Sequence, residues 1–246
     1  MITKSEVKYI QSLAHQKSRN ETQCFLAEGV RLVDDLLACC PEQIKVVFCK
    51  QEYVNRLLTF NTNISYKIIT EEELCRISQM QQPNQVLAVI EQFHNKLPEK
   101  KQKEWILALD GIQDPGNMGT IIRLADWFGI KHIVCSKDCV DAYNPKVVQS
   151  SMGSIARVAC HYVSLNEFLL QYDLPLIGAT MTGEALQTFH FPKAGILIIG
   201  NEGKGIRQEI TSVLTQSLTI PSFGGAESLN AAMATGIILW ELRSRQ

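Results

Sequence analysis

Residues 105–126 read WILALDGIQDPGNMGTIIRLAD: an apolar run, a loop holding three glycines and a proline, then a stretch with helical periodicity. The run 105–109 is predicted as a buried strand, and Ile121, Leu124, Ala125 and Phe128 as the inward stripe of the helix that follows. A strand that turns through glycines into a helix is the repeating unit of a parallel α/β sheet, and ligands of such sheets sit beyond the carboxyl ends of the strands. Arg123 lies two residues from both Ile121 and Ala125, so it points away from the inward stripe. It can meet a ligand there, or pair with Asp126 at i,i+3.

Downstream the pattern repeats. Strands are predicted at 132–135, 159–163, 176–179, 196–199 and 218–220, with helices between most of them. Ser164-Leu165-Asn166-Glu167 has the form of a capping box that opens one of those helices. Two more glycine loops follow strands: GNEGKG at 200–205 and PSFGGAESLN at 221–230. None of the three loops matches a dinucleotide or P-loop fingerprint. A single glycine loop is commonly only a turn, but three at strand ends of one half-chain point to a ligand. The last helix is predicted at 227–243, with Ser228 a candidate cap and Asn230 in its first turn. Leu229, Ala232, Met233, Ile237, Ile238 and Trp240 give it an apolar surface wider than one stripe, which calls for cover on a second side by a partner subunit.

Upstream, HNKLPEKKQKE at 94–104 interrupts the pattern with four lysines and a proline and reads as a linker. Before it, helices at 3–16, 30–39, 52–58 and 71–80 alternate with strands at 24–27, 44–49, 66–70 and 86–93. The organisation expected is therefore a smaller α/β domain at 1–93, the linker, and a larger α/β domain at 105–246. The 24 basic and 25 acidic side chains leave a net charge of -1, which excludes a protein that coats nucleic acid indiscriminately. A local basic patch remains open, since 1–31 hold five Lys/Arg against three Glu. The eight cysteines form no C-x-x-C pair and the five histidines no ligand cluster or triad, so neither a metal nor hydrolase chemistry is expected. Residues 1–13 contain no signal-like apolar run, and no run of 18 apolar residues occurs, so the expected setting is cytoplasmic, without a membrane span and with reduced thiols.

The three loops resemble the signature motifs of the SpoU (TrmH) family of RNA ribose 2'-O-methyltransferases, in the SPOUT superfamily. The matching stretches are LDGIQDPGNMGTIIRLAD at 109–126, IIGNEGKGI at 198–206 and LTIPSFGGAESLNAAMATG at 218–236, in the family's order. Residues 1–93 resemble the family's substrate-binding domain, best at Phe25-Leu-Ala-Glu-Gly-Val-Arg31. The resemblance implies an α/β fold whose C-terminal parallel-sheet methyltransferase domain is knotted, a homodimer, and S-adenosylmethionine (AdoMet) as methyl donor without a metal. It implies a polar set of Asn117, Arg123, Glu202, Ser228 and Asn230. Donor contacts fall at Gly200, Ile220 and Leu229, with Thr180 and Met181 nearby. Arg19, Arg31 and Arg123 are the RNA-contact candidates. Ribosomal RNA is the substrate expected, with transfer RNA, or RNA binding without catalysis, as alternatives. Two departures stand out: Ser222-Phe-Gly-Gly-Ala226 in the third motif, and Pro83-Asn84-Gln85 where the family carries a glycine.

Overall fold

Thr3 and Glu6 cap each other's backbone to start the first helix, α1 (Lys4–Ser12). The single helix expected over 3–16 is in fact broken, and α2 (Gln16–Thr22) follows after a turn. The break frees the carbonyls of Leu13 and Ala14, and both accept from Arg19 Nη1 at 2.9 and 2.8 Å. The chain continues through β1 (Cys24–Glu28), α3 (Val30–Cys39), β2 (Ile44–Cys49), α4 (Gln51–Leu58), β3 (Tyr66–Ile68), α5 (Glu71–Ile77) and β4 (Val86–Glu91). Then come β5 (Ile106–Asp110), α6 (Pro115–Trp127), β6 (His132–Ser136), α7 (Pro145–Ser151), β7 (Ala159–Val163) and α8 (Leu165–Leu169). The remainder is β8 (Leu176–Ala185), β9 (Ile196–Gly200), α9 (Gln208–Thr211), β10 (Gln216–Thr219) and α10 (Ala231–Ser244). This computed structural model describes residues 1–60, 63–100 and 103–245; Lys101 and Gln102 of the expected linker lie outside the described residues.

Met1–His94 and Asp141–Ala156 form one unit; Asn95–Val140 and Arg157–Gln246 form the other. The first unit carries a four-stranded sheet in the order β1-β4-β2-β3, antiparallel except for β2 with β3. Its core includes Ile10, Leu26, Phe48, Leu74 and Val89. A segment from the second half of the sequence, 141–156, belongs to this unit, although the sequence pattern assigned it to the larger domain. There α7 packs on β1, the Phe25 and Tyr143 rings lie 4.8 Å apart, and Asp141 Oδ2 accepts from Arg19 Nη2 at 2.6 Å. The expected linker is partly bound into the second unit, where the Pro98 carbonyl accepts from the Tyr172 hydroxyl at 2.6 Å.

The second unit has six strands in the order β10-β8-β9-β5-β6-β7, every neighbouring pair parallel. From β5 the chain builds outward through β6 and β7, then crosses to lay β8, β9 and β10 on the other side of β5. The strand order thus reverses at the junction of β5 and β9, which is where a parallel sheet opens a crevice for ligands. Both faces are covered, so β5 and β9 are apolar almost throughout. Two local expectations are corrected. Ser164 precedes α8, but its side chain makes no capping bond. The last helix begins at Ala231 rather than 227, because Asn230, not Ser228, caps it: Asn230 Oδ1 accepts from the N–H groups of Ala232 and Met233 at 3.0 and 3.2 Å.

Candidate active site

Asn117 stands in the first turn of α6, a helix set by Pro115 at its first position and by Asp114, whose Oδ1 accepts from the Asn117 N–H at 2.7 Å. Asn117 Nδ2 donates to Glu202 Oε1 at 2.6 Å, and its Oδ1 accepts from Asn230 Nδ2 at 2.7 Å. A carboxylate only accepts, so Glu202 decides which end of the Asn117 amide faces it. Asn230 is oriented in the same way, because its oxygen is engaged in capping α10 and only its NH₂ is left for Asn117. The loops after β5, β9 and β10 are thereby joined by one chain of side-chain hydrogen bonds at the strand-order reversal.

Beside this chain lies a cleft of about 730 Å³. Its walls are the ends of β8, β9 and β10 and the loops beyond them. Thr180, Met181, Gly200, Ile220 and Leu229 all line it, as do Glu202 and Ser228. Gly200 is required by close approach: a Cβ there would lie 2.3 Å from the Gly205 carbonyl carbon and the Ile206 nitrogen. The departure in the third motif falls on the cleft's outer loop, where Phe223 is 94% exposed.

The remaining site candidates take no part in the Glu202–Asn117–Asn230 chain. Arg123 is exposed on α6, while Ile121, Ile122 and Ala125 are buried. Its alternative partner is engaged elsewhere, since Asp126 Oδ2 accepts from Arg157 Nε at 2.8 Å. Ser228 is exposed and does not cap α10. In the first unit, Arg31 is exposed on α3. Arg19 is corrected as an RNA-contact candidate: only 2% of it is exposed, and its guanidinium is engaged by Asp141 and by the Leu13 and Ala14 carbonyls.

Sequence reasoning missed a second polar network beneath the same loops. Asp110, the last residue of β5, is buried, yet its carboxylate accepts from the Arg207 backbone N–H at 2.7 Å and from Arg207 Nε at 2.6 Å. Arg207 Nη2 also reaches Asp138 Oδ1 at 3.3 Å. Ser136 Oγ donates to that oxygen at 2.7 Å and accepts from the Gly111 N–H at 2.9 Å. The Asp110 contact raises the Arg207 pKa. The bond from Ser136, with smaller help from Arg207, holds the Asp138 carboxyl below its ordinary range. Asn201 completes the arrangement: its Nδ2 donates to the Gly111 carbonyl at 2.7 Å, and its Oδ1 accepts from the Gly203 and Lys204 N–H groups. The signal available in the sequence was a charged residue, Asp110, closing an otherwise apolar strand. Among the described residues, no group of three or more His, Cys, Asp or Glu is placed to hold a metal.

Residues 104–240 match the SpoU rRNA Methylase family, and residues 4–88 the MRM3-like substrate binding domain. A Bacillus subtilis relative named 23S rRNA (guanosine(2553)-2'-O)-methyltransferase RlmP is 31% identical, covering 97% of this chain and 96% of its own. Among solved structures, an AdoMet-bound rRNA methyltransferase from Sinorhizobium meliloti superposes with a TM-score of 0.87 at 29% identity, over 100% of this chain and 96% of its own. The SpoU methyltransferase AviRb from Streptomyces viridochromogenes, in complex with AdoMet, superposes with a TM-score of 0.84 at 25% identity, over 99% and 98%.

Proposed function

The chain belongs to the SpoU rRNA methylase family, and from that premise we propose that it transfers a methyl group from AdoMet to a ribose 2'-hydroxyl of ribosomal RNA. The observation that carries the proposal is the cleft at the ends of β8, β9 and β10, with the Glu202–Asn117–Asn230 chain along its side. The cleft fits the donor. Its volume lies in the ~300–1,000 Å³ range of small-molecule sites, and the bare backbone at Gly200 lets its wall close tightly. Thr180, Met181, Gly200, Ile220 and Leu229 are the residues proposed to hold AdoMet. When bound, the donor supplies an electrophilic methyl on a sulfonium.

The chain's own contribution is orientation and charge. Glu202, Asn117 and Asn230 restrain one another, so the polar side of the site is set before RNA arrives. Ser228 is proposed to shape the outer loop of the cleft. Arg123 offers a guanidinium that is unpaired among the described residues of α6 and its surroundings. A guanidinium stays protonated, so its role is best read as stabilising the charge that develops on the ribose oxygen and anchoring a neighbouring phosphate, rather than removing a proton. Arg31, in the unit that resembles a substrate-binding domain, is proposed to add RNA contacts.

Two further elements belong to this reading. One is a homodimer formed through the exposed apolar residues of α6 and α10. The other is a knotted path through the last strands. No helix among the described residues is long and apolar enough to cross a membrane, and a cytoplasmic location is proposed with the RNA substrate. The test is methyl transfer from labelled AdoMet to ribosomal RNA, followed by mapping of ribose methylation. Label found on a base, or only on transfer RNA, overturns the proposal.

A further inference from the structure

The loop from Gly200 to Arg207 forms one wall of the cleft, and both of its ends rest on a single residue. At its start, Gly200 is the register partner of Asp110 where β9 meets β5. At its end, the Arg207 backbone N–H and guanidinium both sit on the Asp110 carboxylate. The loop is also closed on itself, with Asn201 and Gly205 exchanging backbone hydrogen bonds at 3.0 and 2.9 Å. From Asp110 the next residue, Gly111, receives Asn201 on its carbonyl and gives its N–H to Ser136, and Ser136 returns through Asp138 to Arg207. The result is a closed ring of polar contacts through the ends of three adjacent strands, β9, β5 and β6.

Arg207 is the one member of this ring that touches both acids. Its side chain is 43% exposed, whereas the Asp110 side chain is fully buried. The arginine thus reaches in from the surface to neutralise a carboxylate shielded from bulk solvent. If the guanidinium is removed, the backbone bond to Asp110 remains but the charge does not, and the end of the loop is free to draw away. Two parts of the site depend on that loop. One is the cleft wall at 200–206; the other is Glu202, which must stay within reach of Asn117.

We propose that Arg207 is a positioning residue for methyl transfer: by clamping onto Asp110 and Asp138 it sets the place of the 200–206 wall and so controls affinity for the methyl donor. The inference rests on the reading of the cleft as the AdoMet site. Arg207 itself touches neither donor nor RNA in this account.

The test uses the full chain with Arg207→Ala and Arg207→Lys. AdoMet affinity is measured by calorimetry and RNA affinity by filter binding, with the thermal midpoint recorded without ligand. Arg207→Ala should weaken AdoMet binding about tenfold or more and raise the donor KM in step, while RNA affinity stays within about twofold. Lysine keeps the charge but not the two-acid reach, so Arg207→Lys should fall between wild type and alanine. Leaving Asp110 uncompensated lowers the midpoint under either reading, so the deciding result is the pair of affinities: a purely structural role would weaken AdoMet and RNA binding in parallel, and that result overturns the proposal. So does a folded Arg207→Ala protein that binds AdoMet as wild type does. If the alanine variant does not fold, the lysine variant decides: unchanged AdoMet affinity there refutes the clamp. Failure of the wild-type chain to bind AdoMet at all would count against the proposed function, not against Arg207.

Discussion

Arg123 and Arg19 are the same residue type in opposite circumstances, and the contrast governs what each can do. Arg123 is exposed, with Asp126 taken by Arg157. Arg123→Ala should therefore leave stability within about 0.5 kcal/mol of wild type. It should lower methyl transfer on the order of a hundredfold or more if it stabilises charge in the transition state. Arg123→Lys should stay impaired, because lysine cannot offer a two-pronged contact. Initial rates with labelled AdoMet measure both, and near-normal turnover by the alanine variant would remove Arg123 from the mechanism. Gln85 belongs to the same scale. It closes the segment Pro83-Asn84-Gln85, in which the family resemblance calls for a glycine, and its φ is 51, in the left-handed region. A side chain there carries a steric cost that glycine avoids, so Gln85→Gly should raise unfolding free energy by about 1 kcal/mol. The denaturant midpoint is the measurement, and a lower midpoint would show that the side chain contributes more than the backbone strain removes.

At the scale of elements, α10 has two faces. Ile238, Leu239 and Leu242 are buried, and Gly236 lets the Leu124 side chain of α6 approach to 3.4 Å of where a Cβ would stand. Met233, Ile237 and Trp240 remain exposed on another side, and Trp127 of α6 is 82% exposed. Four large apolar groups left in water are expensive unless something covers them. The expected cover is a second copy of the chain. Ile237→Glu with Trp240→Glu should then convert a dimer into a monomer by light scattering at micromolar concentration. An unchanged dimer mass would place the interface elsewhere. The buried strands of the second unit were readable to within a residue or two at most ends, because an apolar run covered on both faces has few alternative readings. Helix starts were less readable. Ser228 and Asn230 are both good caps by type, and only the course of the 221–230 loop decides that Asn230 takes the role.

For the whole molecule, the division of the chain matters more than its length. Residues 141–156 lie between β6 and β7 in sequence, yet they belong to the first unit, with α7 on β1 and Asp141 on Arg19. A fragment beginning at residue 94 would strip this segment of its core contacts and leave Asp141 without its arginine. We expect that fragment to be cut by trypsin at Lys146 much faster than the full chain is. Equal resistance in the two would mean that 141–156 holds its structure without β1. RNA-binding experiments on the first unit are better made by Arg31→Glu in the full chain. That change should weaken RNA binding and flatten its salt dependence by about one counterion, with AdoMet affinity unchanged.

The sequence alone determined the alternation of strands and helices and the three glycine loops at strand ends, and through a family resemblance it pointed to the polar set they carry. These are properties of neighbouring residues: periodicity of apolar side chains, turn-forming glycines, and motifs in a given order. Tertiary structure alone decided which of those residues meet. Asn117 and Glu202 are 85 positions apart and bond because β5 and β9 are neighbours in the sheet. Asp110 and Arg207, 97 apart, were not singled out at all, since a lone acid at a strand end and a lone arginine after a loop carry no mutual signal in the sequence. Arg19 was misplaced for the same reason: burial depends on a carboxylate 122 residues away, and no local pattern announces it.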